Sequence, residues 1–103
     1  MGETAHELKI WPPHFEHLLD GRRRFDARLN DRRFKVGDVI KFREFVPKER
    51  AAHTGQGDEY YTGRNLWMRV RYVLNPNPLR DPDCGLVAGY VVLDLEPVNL
   101  AET

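Results

Sequence analysis

Polar and apolar positions alternate along much of this chain, and the period of the alternation changes from segment to segment. His6 to Ile10 ends in apolar residues and predicts a short first strand leading into the core. Pro12 and Pro13 follow it, and proline is tolerated in a first helical turn, where the amide would lack a partner anyway. Phe15, Leu18 and Leu19 then share one helical face and Gly21 supplies a stop, so one short amphipathic helix is expected. From Arg24 to Leu29 the period falls to two. Phe25, Ala27 and Leu29 are expected on the dry side of a strand, with Arg24, Asp26 and Arg28 on its charged side.

Two turns follow, Asn30-Asp31-Arg32-Arg33 and Lys35-Val36-Gly37-Asp38, each rich in residues that tolerate tight backbone. Val39 to Val46 alternates again, setting Ile40, Phe42 and Val46 against Lys41 and Arg43. Pro47 to Asp58 is polar, holds Gly55 and Gly57 and has no period, which predicts a mobile loop. Leu66 to Leu74 predicts a strand with Met68, Val70, Tyr72 and Leu74 on one side and Trp67, Arg69, Arg71 and Val73 on the other. The prolines of Asn75 to Gly85 exclude helix and central strand, and Tyr90 to Leu95 supplies a last apolar strand. About five strands with one early helix, and no regular exchange of strand and helix, predict an α+β, β-rich domain built on a small mixed or antiparallel barrel.

Composition adds bounds to this picture. The 103 residues suit a single domain spanning 1–103, long enough to fold around one core without metal or disulfide staples. Cys84 is the only cysteine, which excludes an internal disulfide and, with no apolar leader or membrane-length run, predicts a cytoplasmic protein with no membrane partner. No cofactor motif is expected, and the sequence leaves the oligomeric state open. The 16 basic and 16 acidic residues cancel, but they are not evenly spread. Arg22 to Lys35 holds seven basic residues against Asp26 and Asp31, a local surplus of +5, while Asn75 to the end holds Arg80 against five acids, a deficit of −4. A chain polarised in this way can attract phosphate to one side while staying neutral overall.

The segment Gly21-x-Arg23-x-x-Asp26-x-Arg28 resembles the Gly-x-Lys-x-x-Glu-x-Arg signature of ASCH domains, relatives of the PUA RNA-binding fold. Arg23 stands in the lysine position and Asp26 in the glutamate position. Further pieces, His6 to Pro12, Phe25 to Arg32, Phe34 to Asp38, Tyr61 to Arg64 and Gly89 to Leu93, make the chain similar to a bacterial and phage family of ASCH-like proteins described mainly as RNA-binding-like. The resemblance implies a PUA-like (ASCH) β-barrel with its cleft beside the signature. Some ASCH relatives are amidohydrolases on acylated nucleosides and others ribonucleases. The amidohydrolase chemistry relies on the signature lysine, and Arg23 replaces it poorly because a guanidinium stays protonated.

Several side chains therefore carry the functional expectations. Arg23 and Arg28 flank Asp26, either as a structural ion pair or as a rigid clamp for phosphate. Trp11, where ASCH relatives often place a basic residue, is a candidate base-stacking platform. Lys41 and Arg43 offer a second basic strand face, and Tyr61 and Arg64 end the long loop, as a flap over a ligand or as a hairpin turn. His14 and His17 have a spacing able to share a metal, but no third ligand is apparent and both are read as surface residues. The leading expectation is a nucleic-acid-binding module for RNA or single strands, using Trp11, Arg23, Asp26, Arg28, Lys41, Arg43, Tyr61 and Arg64. One alternative is a hydrolase of nucleotides or modified nucleosides in the same cleft, with Asp26 as acid or base helped by a carboxylate such as Glu44. A second alternative is a protein-interaction module.

Overall fold

The fold is seen in a computed structural model, which describes residues 5–52, 55, 57–75 and 89–98. Among the described residues five strands and two short helices run in the order β1 (Ala5–Ile10), α1 (Pro12–Leu19), β2 (Phe25–Leu29), β3 (Val39–Val46), α2 (Lys48–Ala51), β4 (Tyr60–Leu74) and β5 (Tyr90–Pro97). They form one sheet in the order β1-β3-β4-β5-β2. β1 runs parallel to β3, and every other pair is antiparallel. Parallel neighbours need a crossover of a dozen residues or more, which α1 and β2 supply. The sheet curls into a half-barrel, giving the small, strand-rich α+β domain that the alternation predicts.

The helix forms where the prolines place it. Trp11 is its extended N-cap residue, and Pro12 and Pro13 remove two amides that would otherwise need partners. Phe15 and Leu18 are buried against the sheet, whereas Leu19, expected beside them, stays half exposed. Gly21, at φ +87°, takes the left-handed conformation that ends the helix, and Arg24 donates from Nη1 to the carbonyl of Leu18 at 3.0 Å. The core gathers Leu8, Ile10, Phe15, Leu18, Phe34, Ile40, Phe42, Met68, Val70, Val91, Leu93 and Leu95. At its margin His6 and Asp38 pair at 2.9 Å, with Asp38 also accepting from the amide of Lys35 and the His6 ring tilted on Phe34. No helix among the described residues is long and apolar enough to cross a membrane.

The side assigned to β2 is the reverse of the one expected. The period of two holds, but Asp26 is 3% exposed, while Phe25 and Leu29 are about half exposed. Register explains it: Asp26 lies opposite Leu93 and Arg28 opposite Val91, and both partners are fully buried. The polar side of β2 therefore faces inward, and its apolar side lies on the outer surface beside Tyr90 and Val92. Hydropathy assigns the wrong side because the inner positions neutralise one another.

Three further expectations change for backbone reasons. The loop expected from Pro47 begins as helix α2, held down by Ala51, which is fully buried; Lys48 to Ala51 are residues that favour helix once Pro47 has started it. Tyr61 to Arg64 form neither a flap nor a hairpin turn, because they lie within β4. Arg43 pairs with Asn65 but Phe45 pairs with Tyr61, so β4 carries extra residues here, and Gly63 at φ +95° takes the strained position in this bulge. A second irregularity between Val70 and Tyr72 shifts the phase of β4. Met68 and Val70 are buried as expected, but Tyr72 and Leu74 turn outward, and Val73 packs on the core instead. Beyond Asn75, the proline-rich segment and Cys84 lie outside the described residues.

Candidate functional site

β1 and β2 are the two ends of the sheet order, and the curl brings them face to face without a ladder between them. The seam between these strands is lined by β1 residues from Glu7 to Ile10 and β2 residues from Asp26 to Leu29. Three adjoining depressions of about 280, 360 and 310 Å³ follow it, and Arg28 lines all three.

At the centre, Asp26 accepts from two guanidinium groups. Arg23 donates from Nη2 to Oδ1 at 3.0 Å, and Arg28 donates from Nε to Oδ2. Each of the three nitrogens of Arg23 has a partner, since its Nε donates to the carbonyl of Phe25 at 2.8 Å and its Nη1 contacts Nδ1 of His14 at 2.9 Å. A guanidinium has no acceptor, so Nδ1 of His14 is the acceptor in this contact. Arg28 differs. Among the described residues only its Nε has an acceptor, and its two terminal nitrogens are uncommitted along the seam. Asp26 therefore holds Arg28 by one edge of its fork and leaves the other edge available for a ligand.

Trp11, 44% exposed, stands at the α1 end of the seam beside His14, Arg23 and Asp26, and the guanidinium of Arg50 lies 5.3 Å from its ring centroid. At the other end Lys9, Arg32, Arg43 and Tyr61 join Arg28 around the smallest depression. Lys9, Arg23, Arg28, Arg32 and Arg43 face Glu7, Asp26 and Asp31, five cations against three carboxylates, so the seam is net +2.

Of the eight expected binding residues, six line the seam: Trp11, Arg23, Asp26 and Arg28 at its α1 end, with Arg43 and Tyr61 beyond. Lys41 and Arg64 do not line these depressions. Lys41 lies over the Trp67 ring on the outer face, and Arg64 is tied into a separate ion-pair cluster. Arg22, at the start of the basic run, pairs with Asp20 at 2.7 Å in the turn after α1. Sequence reasoning passes over Lys9, Arg32 and His14 as site residues. Only the approach of β1 to β2 brings them together, and that is a property of topology. Among the described residues no group of three or more His, Cys, Asp or Glu side chains is placed to hold a metal ion.

Residues 5–95 match the model of the family described as Domain of unknown function (DUF3850). The chain belongs to this family. No curated protein matches the sequence. Among solved structures, the DUF3850 chain is similar to one titled "Crystal structure of hypothetical protein PH0355", at 16% identity and a TM-score of 0.53, over 92% of this chain and 100% of that one. That likeness concerns the fold.

Away from the seam, the DUF3850 domain also buries the carboxylate of Glu44. Glu44, 3% exposed, accepts from Nε and Nη2 of Arg64 at 2.8 and 3.0 Å and from the hydroxyl of Thr62 at 2.7 Å. Arg64 also reaches Glu16 and lies 4.8 Å from the ring centroid of Phe15. The cluster ties β3 and β4 to α1. It also removes Glu44 as an expected helper of Asp26, since its oxygens are committed to Arg64 and Thr62. The Arg64 guanidinium holds the Glu44 carboxyl below its ordinary value of 4.5, with the Thr62 bond adding to the effect and burial opposing it. A carboxylate with a lowered folded value contributes stability above about pH 4.5 that disappears as pH falls through that lowered value. Glu44→Gln is therefore expected to melt below wild type at neutral pH, with the gap closing in acid. A melting-temperature series from pH 7 to pH 3 measures this, and a constant gap contradicts it.

Proposed function

We propose that this DUF3850 domain binds single-stranded nucleic acid, RNA in particular, along the β1–β2 seam. The observation that carries the reading is Arg28, held through Nε by Asp26 while its side chain lines all three depressions. A planar fork with a free edge suits the paired oxygens of a phosphate. Lys9 and Arg32 add charge beside it, and Trp11, with Arg50 against its ring, offers an unpaired base a surface to stack on. The ASCH-like segment from Gly21 to Arg28 supports the same assignment.

Binding ranks above hydrolysis because of what Asp26 does. Each of its oxygens already accepts from an arginine, Glu44 serves elsewhere, and among the described residues Asp26 is the one carboxylate lining its own depression, with Glu7 and Asp31 lining the other two. The carboxylate acts as a mount for Arg28.

Fluorescence anisotropy with short labelled RNA and DNA oligomers at low salt tests the reading. Trp11→Ala is expected to weaken binding by about 1 to 3 kcal/mol, the usual contribution of one stacked base, or roughly 5- to 150-fold. Absence of binding by the wild-type protein at low salt refutes the proposal.

A further inference from the structure

The outer face of β1, β3 and β4 carries an arrangement that begins at the seam, with Lys9, Arg43 and Tyr61, and extends beyond it to Lys41 and Trp67. Register places Glu7, Lys41 and Trp67 in one cross-strand row and Lys9, Arg43 and Asn65 in the next. Strand partners share a face, so these side chains stand together on the outside of the curl. Three cations there lie over three rings: Lys9 is 4.5 Å from the centroid of Phe45, Lys41 5.6 Å from that of Trp67, and Arg43 3.7 Å from that of Tyr61.

The only carboxylate these cations meet among the described residues is Glu7, 3.8 Å from Lys41 and 3.3 Å from Arg43, with its own side chain 55% exposed. Such surface pairs contribute little to folding, and phosphate can displace them at small expense. A guanidinium stacked on a tyrosine also presents its second plane outward, where an unpaired base can lie on it. The face is continuous with the seam, because the smallest depression is lined by Lys9, Arg43 and Tyr61 from the outside and by Arg28 and Arg32 from the β2 side.

We propose that a nucleic-acid strand bound in the seam leaves it over Lys9 and continues across the outer face of β1, β3 and β4. Its phosphates lie on Lys9, Lys41 and Arg43, and its bases rest on Trp67 and on the Arg43–Tyr61 stack. The inference rests on the seam reading and extends its footprint. The seam alone, from Glu7 to Trp11, is roughly 13 to 16 Å long at about 3.3 Å per residue, which accommodates about four nucleotides at the ~3.4 Å rise of a stacked strand. Crossing two more strands at about 4.8 Å each adds roughly 10 Å.

The test compares a four-nucleotide with a ten-nucleotide RNA by anisotropy across a salt series, using wild type, Lys41→Gln and Arg28→Ala. The ten-nucleotide strand is expected to bind wild type more tightly and with a steeper salt dependence. Lys41→Gln is expected to lower its log–log salt slope by about 1 and leave the short strand unaffected, whereas Arg28→Ala weakens both. Equal slopes for the two lengths in wild type overturn the extension without recourse to any variant, and so does a Lys41→Gln effect that is the same for both. If Arg28→Ala weakens both strands while these equalities hold, the seam reading stands alone. If neither strand binds wild type, the seam reading falls and the extension with it.

Discussion

Asp26→Ala is expected to destabilise the domain by about 3 kcal/mol, because it leaves two half-buried guanidinium groups facing each other with no carboxylate between them. Asp26 is nearly inaccessible, while the side chains of Arg23 and Arg28 keep 19% and 25% of their surface in water. That residual exposure places the expected effect at the low end of the range for stranding a buried charge. Urea denaturation measures it as a lowered midpoint with an unchanged slope. Asp26→Asn, which keeps the shape and one acceptor, is expected to recover part of the loss. A midpoint equal to wild type for Asp26→Ala would mean that the two arginines find other partners and that Asp26 does not position them.

Arg28→Ala is expected to give the opposite profile. Asp26 keeps Arg23 as a partner in that variant, so no charge is stranded and folding is largely retained. What disappears is the one guanidinium that lines all three depressions. A charge-assisted contact of this kind is worth about 1.5 to 3 kcal/mol, so affinity for a short RNA is expected to fall roughly tenfold or more. The contrast separates the two jobs within one ion-pair set. Asp26 matters most to stability, and Arg28 matters most to the ligand. Equal effects of both variants on folding and binding would contradict this division.

The elements of this fold are legible in the sequence because each has a physical signal. Two prolines and Gly21 bracket α1, and the period of two marks β2, β3 and the Leu66 to Val70 stretch of β4. What the sequence misplaces is what backbone pairing decides. Alternation shows that Asp26 and Arg28 share a side of β2, but only the register with Leu93 and Val91 shows that the side faces inward. The irregularity after Val70 reverses the exposure of Tyr72 and Val73, and no residue type there announces it.

The candidate site is legible to a similar depth. Arg23, Asp26, Arg28 and Trp11 are recognisable from charge pattern and from their place around the helix, and the structure brings them together. Lys9 and Arg32 are not, because a lone lysine on a strand and an arginine in a turn look like ordinary surface residues. They become neighbours only because β1 and β2, at opposite ends of the sheet order, are curled against each other. Arg64 illustrates the converse. Its place at the end of a polar loop invites a ligand-binding reading, yet the bulge at Gly63 carries it to Glu44 and Glu16, where it serves the fold.

The most direct measurement of the central claim is the salt dependence of RNA binding for wild type and Arg28→Ala, followed by anisotropy with a short labelled strand. Neutralised phosphates release counterions, so log affinity is expected to fall linearly with log salt, and the Arg28→Ala slope to be shallower by about 1. Binding that ignores salt, or a slope that Arg28→Ala leaves unchanged, contradicts a phosphate-binding seam.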